Sequence, residues 1–340
     1  MRSGASEEVV TRRSFMEKML IASGALASGA ITGTAYSVLD GSRANPAAVA
    51  QEAEPGPQIS GQMTSAYPAE LEAAGTETTK ELTMEVVDAT VEIGAGVTYR
   101  AWTFNGTVPG PVVHVRQGDT IDFTLVNNGR AGHSIDFHAA QIPWEVNYKT
   151  ILPGESLSFQ WRANLPGVFM YHCGTGPVLH HIANGMYGAV VVDPETALEP
   201  AREYVLVQSE FYARSGEGGI WDGDMTKMLA ARPDLMAFNG AAFQYRDLPL
   251  TADAGVRIRL YVVNAGPTLF SAFHVIGALF DKVYIDGNPE NLLRGVQTYT
   301  VPPGGGSTFD LVIPDAGLYP FVTHNFAYTE LGAVGVLEVT

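Results

Sequence analysis

The stretch "GVFMYHCGTGPVLHHIANGMYGAVVVDP" (residues 167–194) contains two short apolar runs separated by a loop rich in histidine. Runs of this length that end at Gly, Pro or Asn are typical of β-strands. The loop carries Cys173, the only cysteine of the 340-residue chain, and residues 171–186 hold three of the eight histidines. We therefore expect two strands that present a cluster of potential metal ligands between them.

The rest of the chain has the same strand-like character. Alternating or apolar runs recur between turn residues, as in "TIDFTLVNN" (120–128), "ESLSFQWRA" (155–163) and "RIRLYVVNAG" (257–266). Period-two alternation over such short lengths predicts an all-β protein of the β-sandwich type. One stretch, "WDGDMTKMLAARPD" (221–234), predicts a helix.

The chain also repeats itself in order. "FNGTVPG" at residue 104 returns as "FNGAAFQ" at 238, and "GDTIDFTLVNNG" at 118 returns as "GVRIRLYVVNAG" at 255. Two further echoes follow, of "GVFMYHC" by "GLYPFVTHN" and of "YGAVVVDP" by "LGAVGVLEVT". Four echoes in register indicate a tandem duplication. We predict two domains, residues 81–197 and residues 198–340.

The first fifty residues (1–50) predict an export signal. A twin arginine, Arg12-Arg13, precedes an uncharged run at 19–39 and the small residues "AVA". This order is typical of the twin-arginine route, which predicts a periplasmic or extracytoplasmic protein without stable membrane insertion after signal removal. A retained membrane anchor is the alternative, because the run is about long enough to span a bilayer. We expect residues 51–80 to form a flexible lead-in.

The composition argues against several classes of partner. With 20 Lys and Arg against 36 Asp and Glu, the formal net charge is −16, which disfavours nucleic acid and anionic membrane surfaces. A single cysteine forms no internal disulfide. An unpaired thiol in an oxidising compartment is a liability unless a ligand occupies it.

Four residues predict a blue-copper site. Cys173, His181 and Met186 have the spacing C-x7-H-x4-M on one loop, and an earlier strand supplies His133. Two imidazoles, one thiolate and one weak axial thioether favour copper and fast one-electron transfer. The five-residue step to Met186 favours His181 over its neighbour His180 as the ligand.

A second set of residues predicts a catalytic metal site. The duplication makes His138 equivalent to His274, and His172 equivalent to His324. Asp136 joins these four histidines. Three neutral imidazoles around one metal leave an open position, which is typical of a catalytic site.

The two predicted sites meet at adjacent residues. His172 and Cys173 follow each other on a strand, so their side chains point to opposite faces. One can bind an outer metal while the other binds the blue copper, and the peptide between them becomes a short covalent route for an electron. His114, in an alternating strand, is predicted to be structural.

The motifs resemble those of the copper-containing nitrite reductases, two-domain cupredoxin proteins of the multicopper oxidase superfamily. The resemblance rests on "FNGTVPGP", "HSIDFHAA" (133–140), "GVFMYHC", "HHIANGMYGA", "FHVIG" and "VTHN", and it covers nearly the whole chain after the signal. It implies two tandem cupredoxin-like domains, each a Greek-key β-sandwich or barrel.

The resemblance also implies roles for individual residues. It implies a type 1 copper held by His133, Cys173, His181 and Met186, and a type 2 copper held by His138, His172 and His324. It further implies that Asp136 and His274 are the catalytic acid/base pair and that Ile276 shapes the nitrite pocket.

The family reaction is NO2⁻ + 2H⁺ + e⁻ → NO + H2O. The resemblance implies a homotrimer in which His324 reaches the type 2 copper of the neighbouring subunit. It also implies a small electron donor, either a cytochrome c or a blue-copper protein.

Two positions depart from the family pattern. The loop from Cys173 to His181 is one residue shorter than in the best-known members, and Leu279 replaces a second histidine often found five residues after the catalytic one. Gln297 and Thr298 match a stretch that supports the catalytic histidine in the family.

Two other functions compete with this interpretation. A laccase-like oxidase would need a three-copper cluster, commonly built from H-x-H pairs, and the sequence contains no H-x-H. An electron-transfer cupredoxin without nitrite turnover is the other alternative. Asp136 and His274 weigh against it, because a purely structural second site would need neither.

Overall fold

A computed structural model describes residues 55–340 of the chain. The predicted export signal and the first residues of the predicted lead-in lie outside the described residues. Among the described residues, no helix is both long enough and apolar enough to cross a membrane.

The described residues form 21 strands and a few short helices. The strands are β1 (Thr79–Gly94), β2 (Val97–Phe104), β3 (Val113–Arg116), β4 (Thr120–Asn127), β5 (Asp136–Phe137), β6 (Ser156–Arg162), β7 (Gly167–His172), β8 (Tyr187–Asp193), β9 (Arg202–Phe211), β10 (Ala213–Ser215), β11 (Trp221–Gly223), β12 (Leu235–Phe238), β13 (Leu250–Ala252), β14 (Arg257–Gly266), β15 (Ser271–Val275), β16 (Phe280–Ile285), β17 (Leu292–Val296), β18 (Thr298–Val301), β19 (Gly306–Val312), β20 (Gly317–Thr323) and β21 (Val334–Val339). The α-helices are α1 (Trp144–Asn147), α2 (Val178–Ala183), α3 (Met225–Leu229), α4 (Gln244–Asp247) and α5 (Phe326–Thr329).

The strands form four sheets, two for each half of the chain. The first half forms the core of the sheet β10-β11-β2-β1-β4-β6, to which the second half adds β10 and β11, and it forms the smaller sheet β3-β8-β7-β5. The second half contributes β12-β9-β14-β19-β16-β17 and β13-β21-β20-β15-β18. Apolar side chains from both sheets of a half share one buried cluster, such as Phe123 of β4 with Tyr171 of β7. The all-β prediction is confirmed.

The alternation that predicts strands also fixes which side chains face the core. In β4, Ile121, Phe123 and Leu125 are buried while Asp122 between them is exposed. Strand periodicity puts alternate side chains on one face, so this face packs inward and the other meets solvent.

The two halves repeat one turn in atomic detail. Asn127 donates from its side-chain amide to the carbonyls of Ala131 and Ile151, and its Oδ1 accepts from a backbone N–H two residues on. Asn264 donates in the same way to the carbonyls of Leu269 and Val301. Both asparagines are fully buried, and each supplies hydrogen bonds to backbone groups of its loop that water does not reach.

The predicted helix at 221–234 is wrong in its extent. Only α3 is helical there, and Asp224 caps it by accepting from the backbone N–H groups of Thr226 and Lys227. The residues before it form β11, in which Trp221 pairs with Tyr99 of β2. A segment that lies after the predicted boundary at residue 198 therefore pairs with a strand of the first half.

Residues 55–78 contain almost no regular structure, yet they contact the body of the protein. Leu71 donates its backbone N–H to the carbonyl of Glu203, and Val205 donates to the carbonyl of Ala69. The hydroxyl of Tyr67 donates to the carbonyl of Gly110. This segment thus contacts both halves of the described chain.

Candidate metal centres

Three potential ligands meet beside the end of β7. The Sγ atom of Cys173 lies 3.3 Å from Nδ1 of His181 and 3.9 Å from Nδ1 of His133. The two Nδ1 atoms lie 3.2 Å apart. All three residues are buried, and Met186 is fully buried in the same apolar cluster as Cys173. The three donor atoms therefore point at one common position.

Separate pieces of local structure hold these side chains. Backbone hydrogen bonds of 2.8 and 3.0 Å with Ile151 fix His133, and α2 carries His181. Met186 precedes β8, and its carbonyl accepts the backbone N–H of Cys173 at 3.1 Å. This backbone hydrogen bond joins the two ends of the loop between β7 and β8.

The electrostatics of this cluster suit a bound cation. Burial lowers the pKa of His133 and of His181 to about 4, with further lowering of His181 by His133 and His180. Both imidazoles are therefore neutral at physiological pH, which is the metal-binding form. Burial raises the pKa of the Cys173 thiol, against hydrogen bonds from Ser134 and Thr175 that lower it. A metal ion supplies the positive charge that stabilises a buried thiolate.

The donor set discriminates between metals. Two imidazole nitrogens, one thiolate and a nearby thioether suit copper, whereas magnesium and calcium prefer oxygen ligands. The residues at this position therefore fit a blue copper ion.

A second cluster lies where β5 pairs with the end of β7. The Nε2 atoms of His138 and His172 are 3.1 Å apart. Nδ1 of His138 lies 3.0 Å from the carbonyl of Gly304, and Nδ1 of His172 lies 3.0 Å from the carbonyl of Cys173. Because a carbonyl only accepts, each Nδ1 carries the proton and each Nε2 presents its lone pair. The two lone pairs face a shared position, as two ligands of one metal do.

Asp136 completes this cluster. Its Oδ2 lies 4.0 Å from Nε2 of His172, and the two residues are opposite each other in the β5–β7 pair. Burial lowers the pKa of His172, as does His138, while the Cys173 carbonyl and Asp136 raise it. His138 is exposed, so the cluster opens toward solvent.

The remaining predicted residues lie in the second half. The rings of His274 and His324 are 5.5 Å apart, and Nδ1 of His274 lies 2.5 Å from the carbonyl of Gln297. Ile276 is 40% exposed beside them. Within residues 55–340, the close group of ligand atoms joins Asp136, His138 and His172 without His324. One chain thus holds the second predicted set in two separate places.

Comparisons with known proteins agree with these features. The multicopper oxidase family matches residues 85–197. Over 264 residues the chain is 40% identical to the copper-containing nitrite reductase of Neisseria meningitidis serogroup A, covering 75% of this chain and 68% of that protein. The chain belongs to the copper-containing nitrite reductases.

Solved structures support the same family. The copper nitrite reductase of Nitrosomonas europaea is 41% identical, with a TM-score of 0.72 over 77% of this chain and 94% of that one. The copper-containing nitrite reductase of Thermus scotoductus is 32% identical, with a TM-score of 0.70 over 77% of this chain and 62% of that one. The predicted cupredoxin-like fold and the oxidoreductase class are confirmed for this nitrite reductase.

Several residues around the clusters of this nitrite reductase carry no signal in the sequence. Ser134 donates its backbone N–H to Sγ of Cys173 at 3.4 Å, and its hydroxyl accepts from Gly174 and Thr175. Gly304 holds His138 through a backbone carbonyl 166 residues away. Backbone donors and acceptors have no residue signature, so only the fold reveals them.

The other predicted neighbours also have defined positions. His180 is half-buried on α2 next to His181, with its ring outside the close group of ligand atoms. His114 lies with Nδ1 2.6 Å from the carbonyl of Glu72, which agrees with a structural role. Leu279 is exposed, and Thr298 pairs with His274 between β18 and β15.

Proposed function

We propose that this protein reduces nitrite to nitric oxide by one electron, following NO2⁻ + 2H⁺ + e⁻ → NO + H2O, with two copper ions per subunit. One observation carries the proposal. Two donor sets of different chemistry, one with sulfur and one with imidazole and carboxylate, are joined by the single peptide bond between His172 and Cys173. An electron carrier without turnover would need only the first set.

Each donor set suits one part of the reaction. Copper held by His133, Cys173, His181 and Met186 would supply one-electron transfer, and copper held by His138, His172 and His324 would supply Lewis acidity at nitrite. The chain connects the two sets by covalent bonds. Cys173, the residue directly after β7, is buried with the first set, whereas His172, the last residue of β7, belongs to the open second cluster.

Two residues are proposed to handle the two protons that the reaction consumes. Asp136 lies 4.0 Å from the proposed ligand His172, so its carboxyl can hold a proton beside bound nitrite. His274 donates from Nδ1 to the carbonyl of Gln297, which leaves Nε2 to take up and release a proton. Ile276 next to it supplies an apolar wall for a small anion.

The third imidazole of the second set is proposed to come from another copy of the chain. His324 lies beside His274, away from His138 and His172 within the described residues. A homotrimer can bring His324 and His274 of one subunit to the open cluster of the next. Each active site is then shared between two subunits.

This shared site has a direct test in mixed oligomers. His172→Ala and His324→Ala each inactivate the protein alone, because each removes one ligand of the second set. Co-expression of the two variants restores part of the activity, since some interfaces pair an intact His172 with an intact His324. No recovery in verified mixed oligomers would contradict the shared site.

We also propose an extracytoplasmic location and a small electron donor. The twin arginine at 12–13 and the small-residue site that follows support export of the folded protein. A periplasmic donor of the cytochrome c or blue-copper type would then deliver electrons one at a time. Fractionation of cells for the full chain and for Arg12→Lys/Arg13→Lys tests the route, since only the first should leave the cytoplasm.

The function is tested with purified, copper-loaded protein under anaerobic conditions. A reduced dye and nitrite are supplied while nitric oxide and the visible spectrum are recorded together. We expect nitric oxide together with a thiolate-to-copper band. A blue protein with two copper ions per subunit that leaves nitrite unchanged would contradict the proposal and favour an electron carrier.

A further inference from the structure

Trp102 of β2 packs against the imidazoles of the first cluster. Its ring centroid lies 5.4 Å from that of His133 and 4.7 Å from that of His181, with tilted or edge-on geometry. The ring of His180 lies 4.8 Å from Trp102 on the same side. These distances are those of attractive aromatic pairs. One side chain therefore touches both of the proposed imidazole ligands of the type 1 copper.

The contact with His133 replaces an interaction that ligand histidines usually have. A metal-binding imidazole normally donates its second N–H to a carboxylate, carbonyl or water, which fixes the ring. Nε2 of His133 is buried and has no hydrogen-bond partner among residues 55–340. The orientation of this ring therefore depends on the packing around it.

The backbone of Trp102 is attached to the loop that carries the ligands. Its N–H donates to the carbonyl of Asn184 at 3.0 Å. Its own carbonyl is close to Gly185, where a Cβ would lie 3.0 Å from that oxygen and 2.7 Å from Val108. Gly185 has φ +113°, which also favours glycine. Trp102 is thus held in a fixed position next to Met186 and its loop.

Trp102 also separates the cluster from an open cavity. The cavity has a volume of about 550 Å³ and is lined by Trp102 and His180 together with Asn184, Arg100, Arg130 and Asp222. His133 and Cys173 lie behind it and are fully buried. Removal of the indole would join the cavity to the space around the imidazoles and admit water.

We propose that Trp102 is a positioning residue of the type 1 copper site, which orients both imidazoles and excludes water from them. The inference rests on the proposed function only in taking His133, Cys173 and His181 as copper ligands. Packing of the indole fixes the His133 ring, as a hydrogen bond donated by the second ring N–H does for other metal-binding histidines. The proposed role of Trp102 involves no contact with nitrite or with the second cluster.

The consequence concerns the potential and the spectrum of the site. Water near the ligands favours the oxidised state, which carries more positive charge, so a larger water content lowers the reduction potential. Loss of the ring contacts also lets both imidazoles vary in orientation, which broadens and weakens the thiolate-to-copper band. A residue that is only structural would change stability without changing either quantity.

The test uses the full chain loaded with copper and three variants at position 102. We expect Trp102→Ala to lower the midpoint potential, weaken the blue band and reduce copper retention about 10–100-fold. Trp102→Phe keeps a ring and should retain most of each property. Trp102→Leu keeps apolar volume without a ring and gives the decisive comparison if the alanine variant does not fold.

Trp221 provides the matched control, because it is also half-buried and lies in the same sheet. Trp221→Ala should leave the potential and the band at wild-type values. A folded Trp102→Leu or Trp102→Ala protein with the wild-type potential, band and copper retention would overturn the inference. A wild-type protein that binds copper without a blue band would instead overturn the proposed type 1 site.

Discussion

Each half of the chain has a histidine at the equivalent position of an equivalent pair of strands, β5–β7 in the first half and β15–β20 in the second. His172 ends β7 opposite Asp136 of β5. His324 directly follows β20, and its backbone N–H donates to the carbonyl of Ala272 in β15 at 2.6 Å. The strand pairs are equivalent, yet the first half has a carboxylate across from its histidine and the second half has a methyl group.

The halves differ again one residue further on. Cys173 is fully buried beside two imidazoles, whereas Asn325 is exposed and directly precedes α5. The duplicated fold thus determines the position of a side chain, and the residue at that position determines whether it can bind a metal. The first half holds the donor atoms of two candidate metal sites, and the second half holds the half-buried His274 beside the exposed His324.

The largest effect is expected at the position of this thiol. Cys173→Ser removes the soft ligand, so the blue band should disappear and dye-driven nitrite turnover should fall to that of copper-free protein. Asn325→Cys puts a thiol at the equivalent position without a pair of buried imidazoles around it. Absorption spectra of both variants measure the blue band. A second blue band in Asn325→Cys would refute the view that a thiol needs buried imidazoles around it to form a blue-copper site.

Asp136 is the next difference between the halves. Asp136→Asn keeps the size of the side chain but removes its proton, so nitrite turnover should fall about 10²–10⁴-fold while the blue band stays. Steady-state nitric oxide production measures the loss. Asp122→Asn, an exposed substitution in β4, serves as the control and should keep full activity. Wild-type turnover in Asp136→Asn would remove Asp136 from the proton path.

The buried imidazoles make the first half sensitive to acid when copper is absent. The pKa values of His133 and His181 are about 4 in the folded chain and about 6.5 when unfolded, so the unfolded chain binds more protons between these values. Stability is full above pH 6.5 and should fall as pH decreases toward 4, by up to about 1.4 kcal/mol per pH unit for each histidine.

Urea unfolding of copper-free protein at pH 7 and pH 5 measures this dependence. His181→Leu should roughly halve the slope, because one of the two titrating groups is gone. A free energy of unfolding that is the same at both pH values would show that the imidazoles are not buried in the neutral form.

The smallest effect distinguishes the halves at their repeated asparagine. Asn127→Ala and Asn264→Ala each remove two hydrogen bonds donated by a buried amide and one accepted by its Oδ1, so each should lower the free energy of unfolding by about 1–3 kcal/mol. Only Asn127 closes the loop that leads to His133. Thermal unfolding should therefore show similar losses of stability in the two variants, while only Asn127→Ala alters the blue band. A spectral change in Asn264→Ala would mean that the halves are coupled.

The sequence predicts the strands and the first cluster because both depend on local patterns. Alternation such as that of residues 120–128 determines which face is buried, and the spacing from Cys173 to Met186 lies within one loop. The equivalence of His172 and His324 follows from the repeat. These features need no knowledge of how distant segments pair.

The features that the sequence does not predict are long-range contacts. Trp221 pairs with Tyr99, 122 residues earlier, so part of the predicted helix becomes a strand. The carbonyl of Gly304 orients His138 from the other half, and Trp102 packs against His133, 31 residues later, and His181, 79 residues later. Such partners are set by tertiary packing, which leaves no periodicity and no spacing in the sequence.

We propose that an electron held at the Cys173 cluster reduces nitrite at the His138–His172 cluster. The most direct measurement reduces the copper-loaded protein anaerobically with one equivalent of electrons, removes the reductant and then adds nitrite. We expect the blue band to return as nitric oxide appears, and neither to happen in His172→Ala. Return of the band without nitric oxide, or at the same rate in His172→Ala, would contradict it.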